Sequence, residues 1–281
     1  MNKDEANRTV LSEYNRPWLF YGISIIIPWA LWFTAGYLSY NVASTVLLQS
    51  IIGFVGLATP AITAFALMLP KPVLRADLFL HIFRFTKIRP LHLAATFLML
   101  PFSILAAQAI SLLFGYSVEQ FHFVNSFSFS AGLFPAWFML IAAPIIEEFA
   151  WHTYGTNCLR NKMNLFTTSV IFALFWGAWH LPLSFIKDYY QSNVAMEGMI
   201  YSVNFVLSLF PFVIIMNWIY YKTGKNLLLT IIFHLTAGFS GEIFQTHPMS
   251  KVIQTFVLIV VATIIIITDK DFFFKKLHAA V

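Results

Sequence analysis

Charge is what this sequence has least of: Asp, Glu, Lys and Arg together make up 10% of its 281 residues. A soluble domain carries about 25%, so a water-soluble fold of this length would lack the polar surface to cover itself. Cysteine is almost missing too. Cys158 stands alone, which excludes an intramolecular disulfide and every paired-thiol or tetrathiolate metal pattern. The glycines form no phosphate-cradling run, and no repeat, low-complexity tract or long linker divides the chain. The loops leave no room for an extramembrane catalytic or nucleotide-binding domain. What is abundant is apolar: 59% of residues are hydrophobic and Phe alone numbers 31, with a mean hydropathy of +0.75. These values imply an all-α, multi-pass transmembrane helical bundle, a single membrane domain over 1–281.

Runs of about 20 apolar residues suffice to span a bilayer. About eight are present, near 17–38, 44–69, 91–114, 131–159, 165–185, 198–221, 226–244 and 252–268. Residues 1–16 are polar and mixed in charge, and the apolar run after them is too long for a signal peptide core, so it is expected to stay as the first span. A basic stretch near 72–86 reads as an amphipathic helix lying on the membrane surface. The Lys/Arg distribution tests this parse. With the N-terminus inside, fifteen of the seventeen basic residues fall on the inner side, and Lys187 and Lys251 are the two outside. The chain is therefore expected to be integral to the cell (plasma) membrane with both termini cytoplasmic. The same placement accounts for the basic pI without nucleic acid, because the cations sit at helix ends and form no patch.

Glu147 and Glu148 lie deep in the fourth span, which has no other acidic residue between 131 and 158. An ionised side chain at the centre of a spanning helix costs roughly 2.5–3.5 kcal/mol, and no Arg or Lys inside any span offers a salt bridge. An intramembrane ionisable residue therefore reads as functional. A buried carboxyl group beside a like charge can take or give a proton near neutral pH. His180 in span five and His234 in span seven lie at depths that overlap that of Glu147, counting about 1.5 Å per residue. Either histidine alone is more often a hydrogen-bonded packing residue. Asn204 and Asn217 of span six read as interhelical glue, and Trp176 and Trp179 as lipid-facing or interfacial.

Three motifs in order resemble the CPBP family of intramembrane proteases, which includes type II CAAX prenyl endopeptidases and the bacteriocin-processing or immunity proteins of the Abi group. The first is Glu147-Glu148-Phe149-Ala150-Trp151-His152, the second Trp176-Gly177-Ala178-Trp179-His180, and the third Lys222-Thr223-Gly224 followed by His234. The resemblance covers a core at about 131–240. It departs from the family pattern at His152, where arginine is usual, at Trp176, where phenylalanine is usual, and at Gly238, where asparagine is usual.

The resemblance implies an endopeptidase that hydrolyses a peptide bond in a membrane-associated substrate of the CAAX, bacteriocin or pheromone type. Glu147 would activate water with help from Glu148, and His180 and His234 would stabilise the oxyanion, with His152 and Trp176 in support. The departures at His152 and Gly238 motivate an alternative, a catalytically impaired relative that binds a partner as a bacteriocin-immunity or regulatory protein. The expected partners are the lipid bilayer and a peptide or protein substrate, with no nucleic acid. A zinc ion on Glu147, His180 and His234 would use the same side chains. No His-Glu-x-x-His helix exists, however, and each ligand would come from a different span, so no metal or other cofactor is expected. A proton-coupled transporter using the glutamates would call for broken helices and internal symmetry, and neither is evident.

Overall fold

The structure, a computed structural model, describes residues 9–42, 45–82 and 88–276. It is helical, and among the described residues β-structure is limited to two isolated bridges, Phe123 with Phe244 and Ala131 with Phe134. The helices are α1 (Pro17–Asn41), α2 (Val46–Met68), α3 (Pro72–Ile82), α4 (Pro90–Leu112) and α5 (Ala136–Ala150). A π-helical turn, Trp151–Gly155, joins α5 to α6 (Thr156–Arg160). Then come α7 (Leu165–His180), extended by a 3-10 turn over Leu181–Phe185, α8 (Tyr190–Glu197) and α9 (Met199–Lys222). The chain ends with α10 (Leu227–Glu242), α11 (Pro248–Thr268) and α12 (Lys270–Phe274).

Six of these are long and apolar enough to cross a membrane: α1, α2, α4, α7 with its 3-10 extension, α9 and α11. The chain is thus an integral membrane bundle. The two remaining spans of the eight expected take other forms. That at 131–159 is broken by the π-turn, and that at 226–244 is the sixteen-residue α10. A helix of that length rises only about 24 Å, against about 30 Å of hydrocarbon. Both pack inside the protein, α5 against α2 and α10, and α10 against α4, where irregular backbone is tolerated at membrane depth.

Proline marks where helices start. Pro17, Pro90 and Pro248 occupy the first turn of α1, α4 and α11, where a missing N–H costs nothing. The side chains of Asn164 and Asn226 cap α7 and α10 by accepting from Thr167 N (2.8 Å) and Leu229 N (3.0 Å), which satisfies donors that the helix leaves open. The α1–α2 crossing is close. Trp32 Nε1 donates to Gly53 O at 3.0 Å, and a Cβ on Gly56 would lie 2.4 Å from that nitrogen.

The distribution of side chains is that of a protein solvated by lipid. Ile26, Ile62, Phe256 and Ile267 are 61–70% exposed on spanning helices, while Ser24, Thr96, Gln108, Thr168, Ser169 and Asn217 are fully buried. The expected surface helix is present as α3, with residues 83–86 outside the described set. It buries Leu74 and Leu78 but leaves Phe79 and Leu80 exposed as well, so its apolar side chains are not confined to one face. Asp77 on α3 ties three segments together, accepting from Tyr14 Oη (2.6 Å) and Lys225 Nζ (2.9 Å). Burial raises its pKa, but Lys225, the Tyr14 hydroxyl and His81 outweigh this and hold the carboxyl below its ordinary value.

Candidate active site

Adjacent residues on an α-helix point about 100° apart, so Glu147 and Glu148 cannot face the same space. Glu147 lines a cavity of about 570 Å³ together with His180, His234 and Trp176, whereas Glu148 lies behind that wall and is fully buried. Such a volume is in the range of ligand pockets.

The Glu147 carboxylate is held by two indoles. Its Oε2 accepts from Trp176 Nε1 at 2.8 Å and from Trp151 Nε1 at 3.2 Å. Trp151 sits one helical turn after Glu147, the spacing at which side chains on one face meet, and Trp176 arrives from α7. Neither Trp176 nor Trp179 faces lipid. They are 2% and 1% exposed and form part of an aromatic block with Trp151, whose ring centroid is 5.3 Å from that of Trp179.

Glu148 is bracketed by two imidazoles. His152 Nδ1 meets its Oε2, and His234 Nδ1 lies 2.9 Å from its Oε1. His152 stands one turn further along the helix. Its other ring nitrogen, Nε2, faces Asn217 Oδ1 at 3.1 Å, and Asn217 Nδ2 donates to Ser169 Oγ at 2.9 Å. His152, Asn217 and Ser169 thereby link the π-turn, α9 and α7. Asn217 is the glue that its sequence context suggested, and its site partner is His152. Side chains also bond the carbonyls of His152 and Thr153 in the π-turn. Tyr220 Oη donates to His152 O at 2.5 Å, and Asn157 Nδ2 to His152 O at 3.0 Å and Thr153 O at 3.1 Å.

His180 Nδ1 lies 2.7 Å from Trp176 O. A carbonyl oxygen only accepts, so Nδ1 carries the proton and, in the neutral ring, Nε2 is left as an acceptor. Trp176 stands between the two cavity histidines, with ring centroids 5.6 Å from His180 and 5.2 Å from His234.

Sequence reasoning thus named six residues that do meet. Glu147, His180, His234 and Trp176 line one cavity, and Glu148 and His152 sit directly behind. It missed Trp151, which the i, i+4 spacing from Glu147 could have revealed. It also assigned Asn204 to interhelical packing, whereas that residue lines the cavity. Gly238 lines it too, and a Cβ there would meet Leu140 Cδ2 at 3.2 Å. Among the described residues no three His, Cys, Asp or Glu side chains are grouped so as to hold a metal ion. The donors around Glu147 and Glu148 are instead engaged with indoles and with one another.

Comparison with known proteins identifies the family. The family model described as type II CAAX prenyl endopeptidase Rce1-like matches residues 128–240, a stretch that contains Glu147, His152, His180 and His234. CAAX prenyl protease 2 of Methanococcus maripaludis is 34% identical over 267 residues, covering 94% of this chain and 98% of its own length. With that identity over nearly the full length of both chains, and the three motifs folded around one cavity, this chain belongs to the Rce1-like, type II CAAX prenyl endopeptidase family of membrane proteases.

Proposed function

We propose that this protein hydrolyses a peptide bond in a membrane-associated substrate held in the Glu147 cavity, with Glu147 as the base that activates water. The observation that carries this reading is that Glu147, His180 and His234 line one cavity while two indole N–H groups orient the Glu147 carboxylate. The water oxygen bonds to the carbonyl carbon as Glu147 takes its proton. Collapse of the tetrahedral intermediate breaks the C–N bond, and that proton passes to the leaving amine.

The hydrogen bonds divide the roles of the histidines. With Glu148 ionised, His234 Nδ1 donates to it, so Nε2 becomes an oxyanion donor only as an imidazolium. His180 has no carboxylate behind it, and its neutral Nε2 accepts a hydrogen bond from the water or the substrate. A neutral donor role for both rings does not fit these partners. Both nitrogens of His152 are engaged, Nδ1 with Glu148 Oε2 and Nε2 with Asn217 Oδ1. Glu148 and His152 act as positioning residues. No step is routed through a metal.

The substrate classes in view are a CAAX-type tail, as in the name of the Methanococcus relative, and a bacteriocin or pheromone leader processed at the cell membrane. The test is Glu147→Gln in proteoliposomes against quenched fluorogenic peptides of both classes. Loss of cleavage by at least about 10²-fold is expected, a scale usual for general-base loss, and retention within twofold overturns the reading. Gly238, standing in the cavity wall where the family pattern has asparagine, favours a second reading as a non-hydrolytic immunity or regulatory protein. In that case no peptide is cleaved and Glu147→Gln leaves the partner phenotype intact.

A further inference from the structure

We propose that Tyr189 is a catalytic residue of this site: its phenolic hydroxyl donates a hydrogen bond to the oxygen of the substrate carbonyl as negative charge develops there. The role rests on the hydrolytic reading above.

The site as described is short of one such donor. Nε2 of a neutral His180 accepts, and that of His234 donates only as an imidazolium. The Trp176 N–H is engaged with Glu147. The Trp179 N–H has no partner, but the nitrogen itself is wholly buried. Gly238, where the family pattern has asparagine, brings no polar group. Tyr189 lines the same cavity as Glu147, and its hydroxyl has no hydrogen-bond partner among the described residues. Burial, with the Glu147 charge adding to it, holds the phenol above its ordinary pKa. The hydroxyl therefore keeps its proton at neutral pH and lies within electrostatic reach of the proposed base. The Asn204 amide on α9 also lines the cavity and is the rival donor.

The backbone that carries Tyr189 is fixed. The chain leaves His180 through the 3-10 turn Leu181–Phe185 and reaches Tyr189 immediately before α8. It turns at Asp188, whose φ is +61°, a left-handed conformation that Asp adopts more readily than most residues other than glycine. Such residues persist where their surroundings over-determine them, and they cluster at ligand and active sites. Here Lys187 N donates to Ser39 Oγ at 3.1 Å. Ser130 N donates to Asp188 O at 2.9 Å, and Tyr189 N to Ile186 O at 3.2 Å. The Phe129 ring meets that of Tyr189 at a centroid distance of 6.2 Å. A hydroxyl held on a fixed turn with nothing to bond in the resting protein suits this role, because no existing bond must break when charge develops. As water adds to the carbonyl and Glu147 takes its proton, Tyr189 shares its hydrogen with the carbonyl oxygen and retains it. The bond relaxes when the carbonyl re-forms and the C–N bond breaks.

The test is Tyr189→Phe in the full-length chain, reconstituted in proteoliposomes. The ring is kept because it also forms part of the partition to a second cavity, of about 490 Å³. Since the hydroxyl is unpartnered, the melting temperature should not move. With quenched fluorogenic peptides, kcat should fall about 10²–10³-fold, the scale of one oxyanion donor, with KM changed by less than about twofold. A second readout needs no turnover. A phosphinate peptide, tetrahedral and anionic at the scissile position, should lose about tenfold or more in affinity, the scale of one hydrogen bond to a charged group. The matching planar N-methylamide peptide should bind the variant as it binds the wild type. A kcat within about twofold of wild type, equal losses for both peptides, or a phosphinate loss seen in Asn204→Ala and not in Tyr189→Phe would overturn the proposal. If the wild type cleaves no peptide, the hydrolytic reading fails by that result, and the phosphinate comparison still decides whether Tyr189 recognises a tetrahedral anion.

Discussion

His152 and Asn217 form the most exacting test of the site's wiring, because both side chains are fully buried and share one hydrogen bond. His152→Ala removes one of the two imidazoles on Glu148, a carboxylate with no solvent exposure of its own. Leaving a buried polar group without one of its hydrogen-bond partners costs about 1–3 kcal/mol. The low end applies here, since His234 still donates to the other carboxylate oxygen. Asn217→Ala removes the acceptor of His152 Nε2 and strands Ser169 Oγ as an acceptor, a loss of about 1–3 kcal/mol. In the double variant the His152–Asn217 bond is counted once rather than twice. The two losses should therefore fall short of additivity by about 1 kcal/mol or more, within the range for residues in one network. The assay is reversible denaturant unfolding in detergent micelles for the wild type, both single variants and the double. Strict additivity, within about 0.3–0.5 kcal/mol, would show that the two residues do not act through one another. The hydrogen-bonded link from Asn217 through His152 to Glu148 would then be wrong.

Three further outcomes are expected. Trp176→Phe keeps the aromatic block but deletes the shorter of the two N–H bonds to Glu147; kcat on a cleaved peptide should fall about tenfold with KM little changed, and an unchanged kcat would relegate the indole to packing. Gly238→Asn adds an amide to the cavity wall against only a leucine methyl group at 3.2 Å, so it should fold, and turnover should rise by up to about 10²-fold, the scale of one oxyanion donor. Asp77, held below its ordinary pKa despite burial, contributes stability that is complete above about pH 4 and is lost as pH falls through its lower folded value. Asp77→Asn should therefore cost about 1–3 kcal/mol at pH 7 and flatten this part of the acid-unfolding profile, measured by melting in detergent between pH 2 and 7.

Much of the architecture was legible in one dimension because a bilayer imposes a one-dimensional rule: apolar runs of sufficient length must become helices. Six of the eight expected spans satisfy that rule. The other two do not, for a reason hydropathy cannot register. The π-turn after Ala150 and the brevity of α10 are tolerated because neighbouring helices, not lipid, surround them. The surface helix near 72–86 was recognised, but exposed Phe79 and Leu80 show that its apolar side chains are not on one face alone.

For the site, the sequence by itself determined which chemistry was present: two carboxylates without a cation in any span, two histidines at overlapping depth, and the motif order of a protease family. It also carried a Lys/Arg asymmetry, with fifteen of seventeen basic residues assigned to one side. Only the tertiary structure separated Glu147 from Glu148, by turning one carboxylate into the cavity and the other toward His152 and His234. It placed Trp151 and Trp176 on the first and moved Asn204 from presumed glue to the cavity wall. The physical reason is common to all of these. Helical periodicity and composition are local and survive in sequence, whereas which faces meet depends on how distant helices pack.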